Sequence, residues 1–126
     1  MMLLILVSLE VRAEQITYKG HATAYCLKGI TASGQEVHEG ICAMNSKVVK
    51  ELNLMGKDVA LYQRLPNGEK GELIGVYEIA DTGCKKNVID VWMPDLKQCQ
   101  KFMDKVYEDG CKGKIYYEVI EDELGS

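Results

Sequence analysis

Tyr77-Glu-Ile-Ala-Asp81-Thr-Gly-Cys84, followed three residues later by Val88-Ile-Asp90-Val-Trp92, is the stretch on which the reading of this chain turns. An apolar run leads into Asp81, and Gly83 permits a tight turn. A second apolar run then sets Asp90 between Ile89 and Val91. Alternation along a strand points Asp90 away from both neighbours, so if they face a core, it faces a groove. A carboxyl flanked by apolar side chains is poorly solvated, and a second carboxyl nearby disfavours its ionisation; both effects raise a pKa. An acid that keeps its proton toward neutral pH can protonate a glycosidic oxygen. Spacing alone leaves a plainer reading open, in which Asp81 caps a turn and Asp90 points into solvent from an edge strand.

Outward from this stretch, strand signals dominate. Ile16–Tyr25 is rich in β-branched and aromatic residues and predicts a strand. Lys28–Gly40 carries three glycines and reads as a loop or short hairpin, and Ile41–Met44 is a brief apolar run. Asn45 and Ser46 offer N-caps for a short helix with Val48, Val49 and Leu52 on one face, closed by Gly56. Asp58–Arg64 and Glu72–Ala80 form a hairpin about the turn Leu65-Pro-Asn-Gly-Glu69. A longer helix over Asp95–Glu108 carries Leu96, Cys99, Phe102, Met103 and Val106 as its apolar stripe. Lys114–Ile120 is the last strand. About six strands with two short helices predict a mainly β fold, a small closed barrel rather than an open α/β sheet.

A chain of 126 residues supports one domain, and the body from Gln15 to Asp122 holds no linker or repeat. With 47% hydrophobic and 27% charged residues it is an ordinary globular composition. The net charge of -4, without a Lys/Arg cluster, excludes a nucleic-acid footprint and attraction to an anionic membrane. Residues 1–13 read as a signal peptide, with Val11 and Ala13 at the spacing a signal peptidase accepts before Glu14; a buried first strand is the alternative. That apolar run is too short for stable membrane insertion. Five cysteines, Cys26, Cys42, Cys84, Cys99 and Cys111, show no zinc-type pairing, and only His21 and His38 accompany them, so no metal or other cofactor is expected. With an export-like N-terminus, disulfides are the better reading: four cysteines pair and one stays free, in a connectivity the sequence leaves open. Cytosolic thiols are the alternative.

Ala80-Asp81-Thr82-Gly83-Cys84 with Ile89-Asp90-Val91-Trp92 resembles the paired-aspartate signature of the 3D domain, found in stationary-phase-survival-type proteins and in the membrane-bound lytic transglycosylase A. Ala22-Thr23-Ala24-Tyr25, followed by Gly29-Ile-Thr-Ala-Ser-Gly34, is similar to the opening motif of these proteins, of RlpA and of expansins. The resemblance runs from about Thr17 to Ile120. It implies a six-stranded double-psi β-barrel with a groove for polysaccharide. By residue, it implies Asp90 as the catalytic acid/base, Asp81 as the neighbouring carboxylate, and Thr23, Tyr25 and Thr82 beside them in the groove. The family reaction protonates the leaving oxygen between N-acetylmuramic acid and N-acetylglucosamine. The same carboxyl then takes the proton from the sugar's C6 hydroxyl, closing a 1,6-anhydro ring, so one acid/base serves where hydrolases use two.

The chain also departs from that pattern. Ala43-Met-Asn-Ser46 stands where a third aspartate is usual, so Asn45 keeps a cap and loses the charge. The loop between Asp81 and Asp90 is short, and Cys84 replaces a second glycine. Trp92 reads either as a core residue or as a platform for a sugar ring. Lys85 and Lys86 read as a solvated loop tip, as groups that lower an aspartate pKa, or as a hold on a substrate carboxylate. The leading function is a secreted, wall-associated lytic transglycosylase acting on peptidoglycan strands. The alternative is a non-catalytic glycan-binding or expansin-like wall module, and a third is a secreted inhibitor or partner-binding scaffold.

Overall fold

The structure, a computed structural model, describes residues 16–121. The signal-peptide reading of residues 1–13 therefore lies outside the described residues. Chain order is β1 (Thr17–Tyr25), β2 (Ile41–Met44), α1 (Ser46–Leu52), β3 (Asp58–Arg64), β4 (Lys70–Thr82), β5 (Val88–Trp92), α2 (Leu96–Tyr107) and β6 (Lys114–Ile120), with a 3-10 turn over Glu108–Gly110. The expected strands and both helices are present. β4 is longer than its apolar pattern suggests, because it continues through Asp81 and Thr82 while still paired to β2.

The six strands close into a barrel in the order β1-β5-β2-β4-β3-β6. β1 and β5 are parallel, as are β2 and β4, while the other four pairings are antiparallel. A parallel neighbour cannot be reached by a tight hairpin, so the chain must cross the barrel between such strands. Closure leaves no unpaired edge, which a six-stranded sheet of this size would otherwise expose.

Alternation fills the interior. Ala22 from β1, Cys42 and Met44 from β2, Val59 and Leu61 from β3, Ile79 from β4, Ile89 and Val91 from β5, and Ile115 and Tyr117 from β6 form one buried cluster. α1 adds Val49, and α2 adds Phe102 and Val106 with Met103 beside them. The buried stripes of both helices are narrower than their sequences suggest: Leu52 is 55% exposed and Leu96 77% exposed. Each sits in the terminal turn of its helix, where the barrel surface has curved away. α1 ends before Gly56, at Asn53 in the left-handed conformation (φ 54°), whose short polar side chain tolerates that geometry.

All five cysteines are free thiols here, so the four-cysteine pairing expected from composition is not formed. Burial separates them: Cys42 is inside the barrel and Cys111 is buried after the 3-10 turn. Cys26, following β1, lies near enough to Cys99, in the first half of α2, to add to the rise that burial causes in the Cys99 thiol pKa. A disulfide oxidant such as oxidised glutathione is expected to join Cys26 to Cys99 and leave Cys42, Cys84 and Cys111 alkylatable, read by peptide mapping. A linked peptide containing any other pair would overturn this.

Gly20 in β1 is required for close approach. A Cβ there would lie 2.5 Å from the Asn87 carbonyl oxygen and 2.9 Å from the Tyr117 ring. That carbonyl also accepts the His21 amide at 2.9 Å, so it cannot retreat freely. Gly20→Ala should cost about 1–3 kcal/mol in denaturant unfolding through overpacking.

Candidate functional site

β2 is the centre of the site. Ala43 pairs with Asp81 of β4 on one side and with Asp90 of β5 on the other. Asp90 pairs in turn with Thr23 of β1. Four side chains from four neighbouring strands thus line up across one outer face of the barrel. They border a single open cavity of about 370 Å3, together with Tyr25, Thr82, Gly83, Cys84, Lys85 and Val88.

Asp90 and Asp81 reach that face by different means. Ile89 and Val91 are fully buried in the interior, so simple alternation turns Asp90 outward. Ile79 also points inward, and alternation would send Asp81 after it. A register shift prevents this: Cys42 pairs with Ile79, but Ala43 pairs with Asp81, skipping Ala80. The extra residue is a β-bulge, which re-aims the following side chain. Asp81 therefore emerges beside Ala43.

The two carboxyls are held differently. Asp81 Oδ1 accepts the Ala32 and Thr82 amides, each at 2.9 Å, and Oδ2 accepts the Tyr25 hydroxyl at 3.4 Å. Asp90 receives a single side-chain donor, the Thr23 hydroxyl, at 2.7 Å on Oδ1. Burial pushes the Asp90 pKa up, the Thr23 bond opposes that shift, and the nearby Asp81 charge adds to it. Burial, followed by the two aspartate charges, also raises the Tyr25 phenol, so its hydroxyl stays a donor. The Cys84 thiol, half-buried at the groove edge, is pushed up to about 11 chiefly by burial, so it is not a reactive thiolate.

No protein-family model matches the chain, and no curated protein matches it in sequence. Solved structures match it in shape. The apo expansin of Clavibacter michiganensis superposes with a TM-score of 0.53 at 18% identity, over 85% of this chain and 52% of that one. A point mutant of the same expansin in complex with cellohexaose gives 0.51 at 20% identity, over 88% and 54%. Streptomyces papain inhibitor gives 0.52 at 18% identity, over 84% and 96%. The fold is a double-psi β-barrel. The chain spans about half the length of the two expansin structures.

Thr23, Tyr25, Asp81, Thr82 and Asp90, the residues the resemblance named, all border the open cavity. Trp92 does not join them. It is only 7% exposed, packs with Ile41 and Ala80 against Tyr25 and Val37, and donates its indole N–H to the Leu27 carbonyl at 2.9 Å. What it leaves accessible borders a separate cavity, with Lys28, Gly29, Ile30, Glu36 and Val37, and not the groove that holds the aspartates.

Asn45 proves to be more than a helix cap. Its Oδ1 accepts the Lys47 and Val48 amides, and its Nδ2 donates to the Cys84 carbonyl at 2.9 Å, tying the turn between the aspartates to the start of α1. Ala43 and the Ala32 amide were the contributors sequence reasoning missed. Neither carries a side-chain functional group that could have marked it. His21 and His38 lie apart from the groove, and His38 bonds Gln35 and the Glu39 carbonyl. Among the described residues no cluster of metal-ligating side chains forms.

Because the folded-state pKa of Asp90 is raised, the native protein binds its proton more tightly than the unfolded chain does. Stability associated with Asp90 therefore falls as pH climbs from the unfolded to the folded pKa, and ionised Asp90 is a net cost at neutral pH. Asp90→Asn, which retains an acceptor for Thr23, should raise the melting temperature at pH 7. The gain should shrink as pH falls from the raised folded-state pKa toward the ordinary aspartate value and be gone below it; a gain that persists undiminished in acid would refute the assignment.

Proposed function

We propose that this barrel is a cell-wall glycan-binding module of the expansin type, acting outside the cell on peptidoglycan strands. The observation that carries the reading is the alignment of Thr23, Asp90, Ala43 and Asp81 across four strands on the floor of one open groove. Hydroxyl and carboxyl groups spaced along a trough suit a sugar chain, whose hydroxyls need a series of partners rather than one deep pocket. Ala43 at the centre keeps the floor low, so a strand can pass between the aspartates. The presence of this fold in an expansin complexed with cellohexaose supports the same use here.

A second reading, lytic transglycosylase action, is favoured by the environment of Asp90. Its desolvated carboxyl, bonded only to the Thr23 hydroxyl, is suited to deliver a proton to the glycosidic oxygen between N-acetylmuramic acid and N-acetylglucosamine. As the C–O bond breaks, the carboxylate left behind would take the proton from the C6 hydroxyl, whose oxygen closes the 1,6-anhydro ring. Asp81, its lone pairs occupied by three donors, would hold the Tyr25 hydroxyl and the Lys28–Gly40 loop in place.

Co-sedimentation with purified sacculi, followed by mass spectrometry of the supernatant, tests both. Wild type and Asp90→Asn should both sediment with the sacculi. Release of 1,6-anhydro-muropeptides by wild type, lowered about 10²- to 10⁴-fold by Asp90→Asn, would establish catalysis by this acid. Binding without release leaves the module as a non-catalytic binder. Failure of wild type to sediment would sink the glycan reading.

A further inference from the structure

The sequence presents Lys85 and Lys86 as an undifferentiated pair, but the structure separates them. Lys85 borders the groove that holds Asp81 and Asp90, whereas Lys86 borders a different, apolar cavity with Tyr18, Val48 and Tyr117. The ion pairs among the described residues use Lys57, Lys70 and Lys105, and Lys85 enters none. It pairs with neither aspartate.

The turn that carries Lys85 is held on both sides of that residue. Gly83 N–H donates to the Met44 carbonyl at 3.1 Å, Asn45 Nδ2 to the Cys84 carbonyl at 2.9 Å, and Val88 N–H to the Lys85 carbonyl at 3.1 Å. Asn87 adopts the left-handed conformation (φ 65°), with its carbonyl bonded to the His21 amide and its side chain to the Tyr117 hydroxyl. A cation on a fixed backbone therefore stands at the rim of a groove whose floor carries two carboxyls. A neutral glycan offers that cation hydroxyl acceptors but no counter-charge. A glycan bearing carboxylates is repelled by the floor and needs a compensating positive charge to enter.

On the glycan-binding reading above, we infer that Lys85 forms a carboxylate subsite at the groove rim and selects acidic glycan strands over neutral ones. The carboxylate can belong to the sugar or to a peptide attached to it, since Lys85 recognises the charge shared by both. Lysine acts here as a point charge rather than as a bidentate fork, so the selectivity comes from attraction more than from geometry.

Co-sedimentation with native sacculi and with sacculi whose carboxyls have been amidated by a carbodiimide tests the inference. Wild type should prefer native sacculi by roughly fivefold, the size of a good exposed ion pair, and high salt should erode the preference. Lys85→Gln should bring the two affinities together, while Lys86→Gln should keep them apart. Amidase-treated strands, which lose the peptide and gain a free lactyl carboxylate on the sugar it left, identify the source: binding like native sacculi shows that a sugar carboxylate suffices, and binding like amidated sacculi marks the peptide. A preference that survives in Lys85→Gln, or is absent from wild type, overturns the subsite but leaves glycan binding standing. Absence of binding to either preparation instead removes the glycan reading and this subsite with it.

Discussion

The pairing of Ala43 with Asp81 on one side and Asp90 on the other is the constraint from which the rest of the site follows. β2 is only Ile41–Met44, and all four of its residues are buried. Its short length matters less than its place between β4 and β5, one neighbour parallel and the other antiparallel. Two strand spacings of about 4.8 Å each separate the aspartate backbones, too far for a shared hydrogen bond and near enough for each charge to affect the other. A methyl group between them leaves the space open. A larger residue at the same position would close the groove while leaving the barrel's hydrogen bonds intact.

This arrangement makes the carboxyls unequal even though both face one cavity. Asp81 is built into the framework, anchoring the loop through the Ala32 amide and the outer end of β1 through Tyr25. Asp90 has one partner and stands over a fully apolar stretch of β5 interior. Its raised pKa is therefore mainly a matter of desolvation, with the Asp81 charge a smaller contribution. An acid kept at some cost to stability is a mark of a functional position, because packing alone would favour a neutral residue there.

Much of the supporting structure is devoted to holding the turn between these strands. Asn45 reaches it from α1, Met44 from β2, and Tyr117 from β6. The absence of a third aspartate at position 45 is accounted for by this geometry. An asparagine can accept the two helix amides and donate to the Cys84 carbonyl at once, whereas an ionised aspartate has no N–H to give. Rigidity at this turn in turn fixes where Lys85 leaves the backbone.

The alternation of apolar residues in β1, β3, β5 and β6 was readable directly, because a period of two reports which face meets the core. The placement of Asp90 between Ile89 and Val91 belongs to that class, as do Asn45 and Asp95 as caps, since these are local consequences of residue type. Asp81 is different. Its spacing from Ile79 predicts an inward side chain, and only the bulge at Ala80, forced by pairing with β2, turns it to the groove. The packing of Trp92 against Ile41, Ala80 and Val37 and the division of Lys85 from Lys86 likewise arose from contacts between segments far apart in the chain. Local pattern by itself therefore determined the strands, the helix starts and the outward turn of Asp90, while Asp81 was marked by the resemblance of its motif and not by periodicity. The tertiary structure alone decided the register of β2 against β4, and with it which acid, amide and cation share the groove, because strand register is set by long-range pairing that no local periodicity encodes.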